Sequence, residues 1–569
     1  MLIPKIVTSI KTYDRGQFSR DIFAGVVVGI VALPLAIAFG IASGVTPDRG
    51  LWTAIVAGFI ISALGGSRVQ IGGPTGAFVV IVYGIVQKFG VDGLMVATMM
   101  AGVMLVIAGV AKFGGAVKFI PHPVTTGFTS GIAVIILAAQ VKDFLGLTMG
   151  TVPADFVEKM AAYTANAGGI STPALGVAVL SLAIIIAWPR VSHRVPSPFV
   201  ALVVGTVVVK VFHLPVETIG SRFGDVTATI PHPHLPSASL SQMTALIGPA
   251  FTIAMLAAIE SLLSAVVADG MIGGRHRSNM ELVAQGLANI VAPLFGGIPA
   301  TGAIARTATN VKNGGRTPVA GIVHALTLLI VTLAAGRWAA LIPMSTLAAI
   351  LVVVAYHMSG WRGFAAELRS PKSDVAVLLT TFLLTVFVDL TLAIEVGMVL
   401  AAFLFIRRMA SVTNINAVTD ELEDDADAEE DEGAVSRLRI PKRVEVYEIN
   451  GPFFFGAAEV FKDTLASVAQ KPKVLILRMR HCLALDSTGL QALKDIAQRS
   501  RAEGTLVLLS GVHMQPLVAL TGSAALDVIG AENLFSNLDD ALNRARREVG
   551  VPEEPAPAAL PVGGEPDRA

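Results

Sequence analysis

Ile71-Gly72-Gly73-Pro74-Thr75-Gly76-Ala77 and Gly296-Gly297-Ile298-Pro299-Ala300-Thr301-Gly302-Ala303 carry the reading of the fold. Each is a glycine and proline interruption between long apolar runs, followed by a short apolar piece. The flanking runs are long enough to cross a bilayer, for which about 20 mostly apolar residues suffice. The clear candidates are 22–44, 51–65, 93–113, 124–147, 172–190, 197–213, 244–268, 280–296, 317–335, 340–357, 374–392 and 394–410. With the short pieces 75–88 and 301–312 the count is fourteen. The first interruption then opens segment three and the second opens segment ten. An offset of seven is odd, so the two copies cross in opposite senses, the sequence mark of a seven-plus-seven inverted repeat.

Broken backbone at membrane depth is tolerated only inside protein or along a watery cavity. Two half-helix N-termini meeting there present free N–H groups and two positive dipole ends, which attract an anion. Two kinked helices without a ligand are the alternative.

Composition agrees with a membrane protein. Of 569 residues, 53% are hydrophobic and 15% charged, with mean hydropathy +0.70. Soluble domains carry about 25% charged residues. An ordinary soluble enzyme, a disordered chain and a small disulfide scaffold are excluded. Lys plus Arg (42) balances Asp plus Glu (42), so charge points to no nucleic-acid partner. Cys482 stands alone, which excludes an intrachain disulfide and a thiolate metal cluster; no metal site is expected.

Orientation follows from the excess of Lys and Arg in cytoplasmic loops. With the N-terminus inside, the inner loops carry Arg68, Lys112, Lys118, Arg190, Arg194, Arg275, Arg277, Lys312, Arg316, Arg362, Arg369 and Lys372. The outer loops carry Arg49, Lys88, Lys142, Lys159, Lys210, Arg222 and Arg337. The expected order is a cytoplasmic N-terminal segment (1–21), a transmembrane domain (22–411), an acidic linker (412–440), a soluble α/β domain (441–548) and a disordered tail (549–569). Within the soluble domain, Val444–Ile449, Val474–Met479 and Leu506–Ser510 read as strands. Ala457–Ala469, Gly489–Arg501 and Leu538–Glu548 read as helices. Both termini are expected in the cytoplasm, with no cleavable signal peptide.

Ionisable groups inside spans are costly and usually functional. Glu260 lies mid-way along segment eight with Ser264 one turn on, and Arg306 follows the second interruption. Arg306 either pairs with Glu260 or, once Glu260 is protonated, is freed for an anion. Asp389 and Glu395 flank the last turn and read as caps or anchors. The histidines lie mostly in loops (His122, His193, His232, His234).

At these residues the chain resembles the SulP family, the bacterial side of the solute carrier family 26 anion transporters. The resemblance rests on Leu33-Pro34-Leu35-Ala36 through Gly44, Gly73-Pro74-Thr75, Ile259-Glu260-Ser261-Leu262-Leu263, Asp269-Gly270-Met271, Gln285 to Asn289, Phe295 to Ile298, Ala303 to Thr307 and Gly314 to Thr317. Segments eight to ten resemble the C4-dicarboxylate branch represented by DauA more than the bicarbonate branch. The resemblance implies a core domain (segments 1–4 and 8–11), a gate domain (5–7 and 12–14) and elevator-like movement between them. It places Phe39, Thr75, Gly302, Ala303, Arg306 and Ser264 around the substrate, with Glu260 as the coupling residue. Bicarbonate-transporting relatives have Asp at that place, where it helps bind sodium. The longer Glu makes H+ the expected coupling ion, with Na+ as the alternative and no other cofactor. The soluble part resembles a STAS domain through Leu485-Asp486-Ser487-Thr488-Gly489-Leu490. Thr488 aligns with a hydroxyl that is phosphorylated in anti-sigma antagonists, although Ser487 and Thr488 also suit a helix cap.

The expected function is secondary active transport, not enzymatic catalysis, in a bacterial inner membrane. Proton-coupled C4-dicarboxylate symport by an elevator leads. Bicarbonate or sulfate transport, or anion exchange, is the runner-up, and a passive anion channel or a sensor lies further off. The expected partners are a small anion, the bilayer, a second copy in a homodimer and a cytoplasmic partner on the STAS domain.

Overall fold

Each of the fourteen apolar stretches is helical in the computed structural model. It describes residues 2–115, 120–150, 152–153, 155–192, 195–224, 229–237, 239–412, 414–417, 440–454, 461 and 471–553. Two compact units result, Met1–Ala401 and Ala402–Ala569.

In the first unit, segment one is Arg15–Ala42, earlier than composition suggested because Asp14 caps it, accepting from Gln17 N at 2.6 Å. Segment two is Pro47–Leu64. Segments three and four form one run, Gly76–Val110, broken at Gly90 (φ +70°). Segments five to seven are His122–Ala139, Thr172–Ala187 and Ser197–Val211. Segments eight to ten are Ile247–Ile272, Ser278–Leu294 and Ile304–Lys312. The last four are Pro318–Ala339, Met344–Ser359, Lys372–Phe387 and Leu390–Val412, the last of which runs on past Ala401 into the second unit. Proline in the first turn starts segments two, five, six, seven and eleven, where its missing N–H has no helical partner to lose. Asp389 caps segment fourteen, accepting from Thr391 N (2.7 Å) and Leu392 N (3.2 Å). Glu395 is exposed.

Among the described residues, eight helices are long and apolar enough to cross a membrane. The helices of segments two, seven, nine, ten and thirteen fall outside that set. Segment nine shows one physical reason: Glu281, Gln285 and Asn289 repeat at one-turn spacing and are fully buried in protein.

The helices pack in two groups. Segment nine lies along three and four, and eleven lies along one and two. Five lies along thirteen and twelve, and six packs on twelve and seven. Between segments two and three lies strand β1 (Gly72–Gly73); between nine and ten lies β2 (Thr301–Gly302). They pair antiparallel, Gly72 with Gly302 and Gly73 with Thr301. The two interruptions that opened the sequence reading therefore touch, and run in opposed directions.

The second unit is a five-stranded sheet in the order β3 (Asn414–Ala417), β4 (Val444–Asn450), β5 (Val474–His481), β6 (Leu506–Ser510), β7 (Leu534–Phe535). Strands β4 to β7 are parallel, and β3 joins antiparallel at the edge. Leu475, Leu477 and Met479 share a core with Leu493, Ile496 and Ala497 of the helix Ser487–Ala502. Val474 and Ile476 pack with Leu538, Ala541 and Leu542 of the helix Leu538–Val549. Burial on both faces explains the unbroken apolar runs of the central strands. Strand β3 corrects the expected linker: residues 414–417 precede the acidic run and belong to the sheet. The acidic run Asp420 to Glu432, nearly all of the expected helix 457–469 and the tail beyond Glu553 lie outside the described residues.

Candidate functional site

The β1–β2 pair fixes the starts of two half-helices. Ala303 N donates to Ile71 O at 2.8 Å, just beyond the ladder. Gly73 sits at φ +149°, which favours glycine, and a Cβ there would come within 2.5 Å of Arg306 Nη1. Thr75 is the N-cap residue of segment three, yet its side chain does not cap. Its hydroxyl donates instead to Glu260 Oε2 at 2.9 Å. Ala303, the N-cap residue of segment ten, has no side chain able to cap. Both helices therefore begin with uncapped first-turn N–H groups, the donors that an anion satisfies.

Arg306 is 2% exposed. Its Nη2 donates to Pro74 O, and its Nη1 is buried without a partner. Glu260, half-buried, forms no ion pair with Arg306. The direct carboxylate–guanidinium pair considered from sequence is thus not made. The two side chains hold adjacent residues, Pro74 and Thr75, of one turn. Phe39, 5% exposed, brings its ring edge to Gly76: Cε1 lies 3.4 Å from where a Cβ on Gly76 would stand. Ser264 is fully buried and donates to Thr307 Oγ1 at 3.4 Å, and Thr307 accepts from Ile71 N at 3.0 Å. Ser264 therefore holds the turn from behind. Gly302 lies against Gln70, whose Nε2 donates to Ser261 O at 3.1 Å.

With that geometry in place, comparison with known proteins is direct. The model of the sulfate permease family matches residues 18–381, and that of the STAS domain matches 436–541. The chain belongs to the sulfate permease family. Its relatives there include YvdB of Bacillus subtilis, a protein named for sulfate transport, 41% identical over 93% of this chain and 98% of that one. The bicarbonate transporter BicA of Picosynechococcus is 35% identical over 77% of this chain and 79% of that one. Among solved structures, SLC26A9 matches with a TM-score of 0.84 at 19% identity, over 96% of this chain and 93% of that one. That likeness shows the fold. The protein is an anion transporter of the sulfate permease family, a multi-pass membrane protein and not an enzyme.

Several residues around this candidate site went unread in the sequence. Asn289 clasps the second interruption: Nδ2 donates to Ala300 O and Oδ1 accepts from Ala300 N, both at 2.8 Å. Thr53 accepts from Ile298 N at 2.7 Å. His324, in segment eleven, is fully buried with neither ring nitrogen hydrogen-bonded, and its ring lies beside Gly58 and the β1 backbone. It is not among the loop histidines singled out in the sequence; a polar residue amid an apolar span was the available signal. Among the described residues, no cluster of three His, Cys, Asp or Glu side chains is assembled that could hold a metal. In the STAS domain, Asp486 caps the helix that follows, accepting from Gly489 N at 2.8 Å, while Ser487 and Thr488 are exposed. The cap is one residue earlier than expected.

Proposed function

We propose that this protein drives sulfate inward with protons, its substrate held at the paired half-helix starts. The observation that carries this is the hydrogen bond from Thr75 to Glu260. An ionised Glu260 takes the Thr75 hydroxyl proton as an acceptor. A protonated Glu260 no longer requires it, and the hydroxyl turns its donor toward an anion at the half-helix ends. Proton and anion then bind together and are released together, which is symport. The free Arg306 Nη1 and the uncapped N–H groups complete a set of donors for one compact oxyanion.

Coupling chemistry separates the candidates. A proton delivered with bicarbonate makes carbon dioxide, which crosses a bilayer unaided, so proton coupling accomplishes nothing for bicarbonate. Sulfate stays a dianion at any physiological pH and needs the proton's driving force. The kinship with YvdB points the same way. C4-dicarboxylate symport, the leading expectation from sequence, needs a second cationic contact some way from the first. Arg306 is the cation at the half-helix ends, and one of its terminal nitrogens is engaged by Pro74.

The working arrangement is a homodimer in a bacterial inner membrane, with fourteen spans in a seven-plus-seven inverted repeat and both termini in the cytoplasm. Segments 1–4 and 8–11 act as the core and 5–7 and 12–14 as the gate, the core riding as an elevator. The STAS domain serves dimerisation or a cytoplasmic partner, with Thr488 as an exposed modifiable hydroxyl. The test is labelled sulfate uptake into proteoliposomes with and without an inward proton gradient, with bicarbonate and fumarate as parallel substrates. Sulfate accumulation that the gradient drives, and that Glu260→Gln abolishes while sulfate exchange persists, is expected. Gradient-driven fumarate uptake without sulfate uptake would overturn the assignment and restore the dicarboxylate reading.

A further inference from the structure

A cavity of about 750 Å3 lies in the membrane unit, lined in part by segment three but not by Thr75, Glu260 or Arg306. One end reaches Ile136, whose Cδ1 lies 3.3 Å from where a Cβ on Gly76 would stand, beside Phe39. Its charged lining residues are Lys88, which is exposed, and Lys142, Asp143, Asp155, Lys159, Arg222 and Asp389. Most of these charges are engaged. Arg222 pairs with Asp143 at 2.6 Å and also with Glu217. Lys142 Nζ donates to Gly150 O at 3.1 Å, and Asp155 accepts from Val157 N (2.9 Å) and Glu158 N (3.0 Å).

Lys159 differs. It sits on the helix Phe156–Ala165, lines the cavity, is only 4% exposed, and its ammonium makes no hydrogen bond or ion pair among the described residues. An ammonium on a side chain largely withdrawn from bulk water, with no acceptor of its own, is costly, and an anion in the cavity removes that cost. We propose that Lys159 forms an anion-binding subsite among the charged residues of this cavity, which the transported oxyanion occupies before it reaches the half-helix pair. Burial lowers the Lys159 pKa from the ordinary lysine range, with Asp155 opposing, so an arriving anion and the ammonium stabilise each other. The role as a stage in transport rests on the function proposed above; the subsite itself rests on the cavity.

The experiment reads the subsite without flux. Cys482 is buried, so Ala139→Cys in the cavity wall gives the full-length protein one accessible thiol. Its modification rates by a negatively and a positively charged methanethiosulfonate are compared, with and without sulfate. The anionic reagent is expected to react about tenfold faster, sulfate to slow it, and Lys159→Gln to abolish the preference. A preference that survives Lys159→Gln in protein of unchanged thermal midpoint overturns the proposal, as does a thiol that neither reagent reaches. Protection by sulfate without any sulfate uptake would sustain the subsite and sink the transport reading.

Discussion

Gly302→Ala tests whether the two interruptions form one built structure. A Cβ at Gly302 would lie 1.6 Å from Gln70 Nε2 and 2.7 Å from its Cδ. Gln70 is 4% exposed, and its Nε2 donates to Ser261 O at 3.1 Å, so the amide has a place to lose. Displacing it forfeits one buried hydrogen bond, about 1 kcal/mol. Forcing it off its rotamer costs about 1 kcal/mol, and crowding the walls about 1–3 kcal/mol. The sum is roughly 3–5 kcal/mol, a large part of a typical folding stability of about 5–15 kcal/mol. Thermal unfolding and sulfate uptake are measured for the wild type, Gly302→Ala, Gln70→Ala and the double variant. Gln70→Ala alone loses the hydrogen bond but makes no clash, and is expected to cost about 1–2 kcal/mol. The double variant removes the clash and should recover at least about 1.5 kcal/mol relative to additivity. Strict additivity would refute the reasoning, because it would mean that Gln70 and Gly302 do not share the space.

Three further outcomes are expected. Asn289→Ala breaks both bonds to Ala300 and should lower stability by about 2–4 kcal/mol, read as a drop in thermal midpoint with Asn289→Asp as the closer variant. Tyr13, outside the spans, donates to Asp21 at 3.1 Å, and its pKa is pushed up to about 12 by burial first and then by the Asp21 charge. A raised folded pKa gives stability that is complete below the ordinary tyrosine value of about 10 and is lost as pH rises toward about 12. Tyr13→Phe should therefore show a shallower alkaline fall in thermal midpoint than the wild type. Asp486→Ala should cost the STAS domain about 1 kcal/mol, while Thr488→Ala leaves its unfolding curve in place; equal losses would return the cap to the hydroxyl.

The fold was legible because its decisive features are local. Apolar runs, two Gly/Pro interruptions and the alternation of the soluble strands all show within windows of a few residues. The opposed repeats brought the two interruptions together, though not as a strand pair, and Glu260 and Arg306 stood out as charges where charge is costly, with Thr75 added by the family resemblance. What stayed hidden depends on contacts between distant stretches. Nothing near Asn289 announces that its amide spans eleven residues to Ala300, and nothing near Glu260 says that its partner is Thr75 and not Arg306. Lys159 was read as an outer-loop charge, since exposure is the usual state of lysine. Its burial comes from the short helix Phe156–Ala165, which is too weakly apolar to register as a span.

Where the glycines lie bears on the proposed movement. Helices in a bilayer associate mainly through close packing, and glycine lets backbones touch. A Cβ on Gly102 would stand 2.6 Å from Gly286 O, and one on Gly50 only 2.0 Å from Ala36 O; all four residues belong to segments one, two, four and nine. A Cβ on Gly127 would stand 2.5 Å from Leu378 O, joining segments five and thirteen. These contacts lock each helix group through its backbone. Gly76 faces across from one group to the other, and the three atoms nearest to a Cβ there are all in side chains: Ile136 Cδ1 and Met358 Sδ at 3.3 Å, with Phe39 Cε1 at 3.4 Å. Flexible tips yield and slide where backbone cannot. Gly102→Ala and Gly127→Ala should each cost about 2–3 kcal/mol and lower the thermal midpoint. Gly76→Ala should fold with the wild-type midpoint and slow uptake, because those tips must give way at each passage of the core. A Gly76→Ala protein that unfolds as readily as Gly102→Ala would show the groups locked together, and the elevator would have no surface on which to move.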